Sequence, residues 1–366
     1  MKKPVVIVAL IFLLFLVAVP LILVFSMDKE DTETGTETPA KEVAAPEFLE
    51  QTGFLLGTVI KIRVYGPADE GIFGPVFKEI SRLEDLLSLN RENSDVEAIN
   101  RNAGISPVPV SAETLDVVEK GLEFSGRADG AFDITVGPLV GLWHIGYDDA
   151  RVPGEDEIQQ VLPLISYRDV VLDREAGTVY LTRPGMVMDL GGIAKGYVAD
   201  RCAAVLRDLG VVHAIINLGG NVLTVGDKPD GSDFRIGVQN PLVERGGYLG
   251  LLKIRDKSVV SSGTYERFLV QDGKRYHHIL NPFTGYPVDN GLEQVTIISD
   301  RSVDGDGLST SGFALGVVRG MKLIESIPGV EAVFVDRRKH VYVSSGAADF
   351  FSVTDTEFVI SELPTE

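Results

Sequence analysis

The chain has 366 residues, 45% hydrophobic and 24% charged, enough apolar material for one large domain or two small ones with a real core. With 34 basic against 53 acidic residues its net charge is −19, which argues against nucleic acid or an anionic lipid surface as partner, because phosphate-rich surfaces demand clustered cations. The single cysteine, Cys202, excludes an intrachain disulfide.

At the N-terminus Lys2 and Lys3 precede an apolar run from Pro4 to Met27, broken only by Pro20 and Ser26. The run is long enough to span a bilayer, and neither a cysteine nor a small-residue cleavage site ends it. Residues 1–27 therefore read as a transmembrane anchor rather than a removed signal, although cleavage stays open at this point. The two lysines favour the cytoplasmic side, which directs the bulk of the chain outward, beyond the cell membrane. Residues 28–47 carry seven acids and two lysines among Thr, Pro and Ala, the composition of an acidic, self-repelling flexible linker. Residues 48–366 remain as one catalytic-type domain.

Within that domain, GTVIKIRVYG (57–66) alternates like a strand. The segment 72–90 aligns Phe73, Val76, Phe77, Ile80, Leu83 and Leu87 on one helical stripe. A second helix begins after Ser111, with Glu113 in its first turn and Leu115, Val118 and Leu122 inward. A strand through Met186–Leu190 leads to Gly191 and Gly192, and helical spacing then runs to a stop at Gly210. Hairpin turns fall at Asp272–Gly273 and near Arg337–Lys339. Strands and helices mix without regular βαβ alternation, so the class is α+β.

Three constellations carry candidate chemistry, each with a plainer reading beside it. In MDLGGIAKGYVAD (188–200) a Gly-Gly corner opens a helix whose positive end suits an anion, with Lys195 in the first turn. Such corners are also ordinary turns, and the spacing matches neither the Rossmann nor the Walker pattern. Asp306 and Thr310, four apart on a helix, share one face and offer hard oxygens for Mg2+, or else cap and back-bond within their own helix. His278 in YHHILNPFTGYP is a general base, a phosphate partner or a structural strand histidine.

Taken in order, FDITVGPLVGLW (132–143), DLGGIAKGYVAD, INLGGNVLTVG (216–226), SSGTYERF (261–268), HHILNPFTGYPV and DGLSTSGFALG resemble the ApbE family, the FAD:protein FMN transferases, over roughly Gly53 to Ser345. The resemblance implies an ApbE-like catalytic domain of mixed sheet and helix behind the anchor. It further implies Mg2+-dependent transfer of the FMN half of FAD to a threonine of an extracytoplasmic acceptor domain, of a redox or electron-transfer protein, with release of AMP. It assigns Asp306, Thr310 and the backbone carbonyl of Gly192 to the metal. Asp189, Lys195, Ala131, Phe132, Asp133, Ile279 and Leu56 would line the FAD site, and His278 would activate or orient the incoming hydroxyl. Tyr265 and Arg267 fall in a family motif but read equally well as packing and surface charge.

The chain departs from the family pattern at several places. Asn90, in SLNRENSDVEAIN, stands where an aromatic often stacks on the flavin nucleotide, and its loss weakens FAD retention by about 1 to 3 kcal/mol if base stacking is a guide. Asn221 and Asn281 replace aspartates, and Gly305 replaces a common alanine. A polar residue at 90 also makes an Mg2+-dependent FAD pyrophosphatase, giving FMN and AMP, the alternative activity. A third reading, a non-catalytic flavin-binding surface protein, requires Asp306, Thr310 and His278 to be dispensable. The SSGT of Ser261–Thr264 looks like a flavin acceptor, yet it falls in the family's own active-site segment, so self-flavinylation is not expected.

Overall fold

A computed structural model of the chain describes residues 47–243 and 246–364. The anchor expected over 1–27 and nearly all of the linker expected over 28–47 lie outside the described residues. Among the described residues no helix is long and apolar enough to cross a membrane.

The scaffold is one broad sheet. Among the described residues it has nine strands, β1 (Phe48–Leu55), β2 (Thr58–Tyr65), β3 (Ala214–Leu218), β4 (Asn221–Val225), β5 (Ser258–Gly263), β6 (Leu292–Ser299), β7 (Glu331–Asp336), β8 (His340–Val343) and β9 (Val359–Ile360). They neighbour one another in chain order, all antiparallel except β8 with β9. Antiparallel neighbours need only tight turns. Leu56 and Gly57 supply one between β1 and β2, with φ of 55° and 65°, and Gly219–Gly220 another between β3 and β4. The excursion from β2 to β3 holds α1 (Phe73–Leu87), α2 (Ala112–Arg127) and α3 (Ala194–Asp208), and that from β6 to β7 holds α4 (Ser302–Glu325).

Alternation decides the faces. On β2, Ile60, Ile62 and Val64 are buried while Val59 and Lys61 are exposed, and β6 is buried along almost all its length because both its faces are covered. On one face Val295 and Ile297 join the helices in the main core. On the other, Ile298, Val259 and Val333 meet Val238, Leu249 and Leu252 of a smaller sheet, Phe234–Gln239, Tyr248–Ile254 and Phe351–Val353.

The expected helices form where the stripes predict them. On α1 the residues Phe73, Val76, Ile80, Leu83 and Leu87 are buried, each burial contributing about 1.5 to 3 kcal/mol, and Phe77 covers Gly53 at the rim. Ser111 caps α2 by accepting from Thr114 N at 3.2 Å. On α3, Cys202 is fully buried, and burial pushes its thiol pKa well above the ordinary value.

The strand expected at Met186–Leu190 does not form. Only Val187 makes a bridge, to Val136, while the amide of Asn100 brackets Met188: Nδ2 donates to its carbonyl at 3.0 Å and Oδ1 accepts from its N–H at 2.6 Å. A side chain thus satisfies the backbone groups that a neighbouring strand would have taken. Helix α4 kinks at Gly316 (φ 80°, ψ 177°), and Asn290 Nδ2 donates at 2.6 Å to the Phe313 carbonyl freed there. The start of α4 is held by Asp200, whose carboxylate accepts from Ser302 N and Val303 N at 2.7 and 3.0 Å. Burial nonetheless pushes the Asp200 pKa up to about 6.

Candidate active site at the glycine corner

The corner before α3 is a shaped turn. Asp189 Oδ1 accepts from Gly191 N at 2.7 Å, and Asp189 N donates to the Ile134 carbonyl at 2.8 Å. Burial raises the Asp189 pKa, partly offset by the Gly191 amide and by the charges of Lys195 and Arg267. The N-cap residue of α3 is Ile193, whose apolar side chain makes no capping bond of its own. Lys195 folds back, with Nζ donating to the Gly191 carbonyl at 3.1 Å and lying 4.0 Å from Asp306 Oδ1.

Asp306 reaches this corner from α4. Its Oδ2 accepts from Gly196 N, in the first turn of α3, at 2.8 Å, so it caps the neighbouring helix and not its own. The approach requires glycine at 196, where a Cβ would lie 2.3 Å from the Ser302 carbonyl oxygen. Thr310 does not bond back to Asp306; Ser309 does, at 2.9 Å. The Thr310 hydroxyl instead meets Ser262 Oγ at 3.2 Å and faces Gly192, where a Cβ would lie 3.8 Å from it. Asp306 Oδ1 and the Thr310 hydroxyl, both hard oxygens, therefore lie at the corner that carries Gly192. One carboxylate among them suits a divalent cation of the Mg2+ type, which takes its remaining ligands from water and phosphate. Among the described residues no cluster of three His, Cys, Asp or Glu is placed to hold a metal.

Phe132 forms the adjoining wall, with Cε2 3.1 Å from the Cβ position of Gly192. The neighbouring Asp133 is buried, and its carboxylate is engaged within the protein, accepting from Thr135 N (2.8 Å), Thr135 Oγ1 (2.7 Å) and Tyr167 N (2.8 Å). Burial raises its pKa against those bonds. Its contribution is to fix the loop that carries Ala131 and Phe132.

His278 comes from the segment after a hairpin, Phe268–Gln271 with Lys274–His277, that turns at Asp272 and Gly273 as expected. Its Nδ1 lies 3.2 Å from the Arg267 carbonyl, which can only accept, so Nδ1 carries the proton and Nε2 of the neutral ring offers a lone pair. The residue as a whole is half-buried, and desolvation of its ring lowers the pKa to about 4, helped by the positive charges of Arg267 and Lys195. Arg267, readable in sequence as a surface charge, thus orients His278 through its backbone and acts electrostatically on both His278 and Asp189. The adjacent His277 is structural: Nε2 donates to the Val288 carbonyl at 2.8 Å, and its ring meets the edge of Phe313. Ile279 is buried in the main core beside it.

The remaining residues fall as follows. Leu56 is half-buried in the β1–β2 turn, and among the described residues no hydrogen bond or ion pair joins it to the corner. Asn90 is exposed and donates from Nδ2 to the Tyr147 hydroxyl at 3.2 Å. Asn281 Oδ1 accepts from Phe283 N and Thr284 N, a task an aspartate would perform alike, whereas Asn221 Oδ1 accepts from Ser302 Oγ at 2.6 Å. A Cβ at Gly305 would lie 2.9 Å from Val260 Cγ2, so alanine there would require the Val260 side chain to give way. Thr264 of the acceptor-like SSGT is buried, its hydroxyl bonded to Glu293 and Arg275. A cavity of about 510 Å³ on the smaller sheet, lined by Lys228, Ser232, Asp233, Arg235 and Lys253, holds none of these residues.

Comparison with known proteins bears on this arrangement. The model of the ApbE family matches residues 56–334. A Klebsiella pneumoniae protein named FAD:protein FMN transferase is 42% identical over 84% of this chain and 95% of its own length. A Treponema pallidum protein of the same name is 36% identical over 84% and 89%. Among solved structures, the ApbE protein of Thermotoga maritima has a TM-score of 0.76 at 32% identity, covering 83% of this chain and 99% of that one. The flavin transferase ApbE of Vibrio cholerae has a TM-score of 0.75 at 27% identity, covering 84% and 100%.

Proposed function

The chain belongs to the ApbE family, and from that premise we propose that it is an FAD:protein FMN transferase acting on a threonine hydroxyl of an acceptor protein. The observation that carries the reading is the meeting of α3 and α4, where Asp306 joins the Gly196 amide and Lys195 while Thr310 faces Gly192.

The bond to be cut is the phosphoanhydride of FAD. The threonine oxygen attacks the phosphorus of the FMN half, a P–O bond forms, the anhydride P–O bond breaks, and AMP leaves. Bound at Asp306, Thr310 and the Gly192 carbonyl, Mg2+ would neutralise the diphosphate, which accounts for so acidic a chain accepting an anionic substrate. Lys195 stabilises charge on the phosphates, Asp189 holds the corner in shape, and Phe132 and Ile279 give the site apolar walls. His278 Nε2 receives or orients the hydroxyl proton, a role its neutral ring fills at neutral pH.

The acceptor we propose is an extracytoplasmic domain of a redox or electron-transfer protein. Lys2, Lys3, the apolar run that follows and the acidic stretch to residue 47 support this, since together they suit an anchor and tether that hold the domain outside the cell membrane. A second reading, hydrolysis of FAD to FMN and AMP, is favoured by one observation: Asn90 presents an exposed amide where an aromatic would exclude water. Incubating the full-length chain with FAD, Mg2+ and an acceptor domain, and following AMP and protein-bound flavin fluorescence, separates the two. AMP with bound flavin supports transfer, AMP alone supports hydrolysis, and no AMP under any condition overturns both.

A further inference from the structure

Tyr147 is an exposed aromatic residue held in a fixed pose. Its ring stacks on His144, with centroids 4.1 Å apart and planes 12° from parallel, and its hydroxyl accepts from Asn90 Nδ2 at 3.2 Å. His144 is itself set in place: it occupies the left-handed region (φ 48°), and its Nδ1 is 2.5 Å from Asp149 Oδ1. A histidine at positive φ is uncommon and needs surrounding structure to hold it. One face of the Tyr147 ring is covered by His144, and 48% of the residue stays exposed.

This segment is tied to the candidate site at two points. Trp143 Nε1 donates at 2.8 Å to the carbonyl of Gly285, in the loop that follows His278. Gly146, adjacent to Tyr147, lies against Arg267, whose Cδ is 3.2 Å from the glycine's Cβ position and whose carbonyl holds His278. Asn90, the position expected to carry a stacking ring, thus contacts an aromatic supplied by another segment.

We propose that Tyr147, backed by His144 and anchored by Asn90, is the face on which a planar ring of the flavin dinucleotide stacks, and that it replaces the aromatic absent at position 90. The inference rests on the flavin-transferase reading. Rigid aromatic surface binds at small entropic cost because the ring is already oriented, and stacking tolerates either the isoalloxazine or the adenine. Asn90 has a matching task, fixing the tyrosine by its hydroxyl instead of stacking itself.

The test titrates the full chain and its Y147A, Y147F and Y147W variants with FAD, FMN and ADP in the presence of Mg2+, by flavin fluorescence quenching and by calorimetry for ADP. Y147A is expected to raise the Kd for FAD by about 5- to 150-fold, the range that loss of one stacked base gives. It should also weaken whichever of FMN and ADP carries the stacked ring, and that arm identifies the ring. Y147F and Y147W, which keep an aromatic face, should stay close to the unaltered protein, and far-UV circular dichroism should be unchanged in all three. Unchanged binding of FAD, FMN and ADP by Y147A would overturn the proposal, as would an equal loss in Y147F, since the hydroxyl and not the face would then matter. AMP release by the unaltered protein tests the parent reading separately: turnover with unchanged binding in Y147A sinks only the stacking role.

Discussion

Asp306 and Gly196 join two helices by one charge-assisted hydrogen bond of 2.8 Å, with the carboxylate of one helix capping the first turn of the other. That bond leaves Oδ1 of Asp306 directed toward Lys195, 4.0 Å away, so a single side chain both fixes the corner and supplies its negative charge.

The two tasks separate by substitution. Asp306→Asn keeps an oxygen that can accept from Gly196 but removes the charge, so AMP release from FAD should fall by about 10²-fold or more with the thermal midpoint little changed. Asp306→Ala should lose activity alike and also stability, by about 1 to 3 kcal/mol, because the buried Gly196 amide is left unpaired. Full activity in the asparagine variant would refute the metal assignment.

Gly196→Ala tests the close approach of α3 to α4. The added methyl meets a backbone carbonyl at 2.3 Å, which no rotamer change can relieve. Overpacking of this kind costs about 1 to 3 kcal/mol and should show as a lower urea midpoint. A midpoint equal to that of the unaltered protein would mean that the helices are not held so close.

His278 gives a pH signature. Its folded pKa of about 4 lies below its ordinary 6.5, so the ring stays neutral to mildly acidic pH, and the acid limb of kcat/KM should fall well below pH 6.5. For stability, the unfolded chain binds a proton that the folded chain refuses between those values, so this group weakens the fold as pH drops from 6.5 toward 4. Asp200 acts with the opposite sign, because its raised value of about 6 against 3.8 favours the fold as pH falls through that window. Comparing the unaltered protein with His278→Ala isolates the first effect; the variant should lack it and lose about 10²- to 10⁴-fold in rate. An acid limb near 6.5 would show that the ring is not desolvated as described.

Chelation should abolish AMP release, and added Mg2+ should restore it. Thr310→Val removes one hard oxygen at nearly constant shape, so the Mg2+ concentration for half-maximal rate should rise, by at least the roughly tenfold that loss of a supporting group produces. An unchanged Mg2+ requirement would place the ion elsewhere.

Local chemistry was the part of the fold most open to reading. The stripe of α1, the Ser111 cap and the Asp272–Gly273 turn depend on nearest neighbours, and each formed where its residues indicated. Met186–Leu190 failed because its partner is the side chain of Asn100, a long-range substitution that no periodicity encodes. The simple strand order was hidden for a related reason: excursions such as that between β2 and β3 separate adjacent strands, and register is settled only when they pair. Asp306 and Thr310 were visible as a pair on one helix face, but not that Asp306 would cap another helix. Tyr147 gave no signal at all, since an aromatic after a glycine in a loop gains meaning only from Asn90 and His144.

The fully buried thiol of Cys202 makes the protein convenient to probe. With its pKa pushed far up and no other sulfhydryl in the chain, it should ignore maleimides at neutral pH under native conditions. A cysteine introduced at an exposed position beside the corner would then be the sole labelling site. A fluorophore or spin label placed there could report substrate arrival and acceptor docking in real time, with no prior removal of native cysteines.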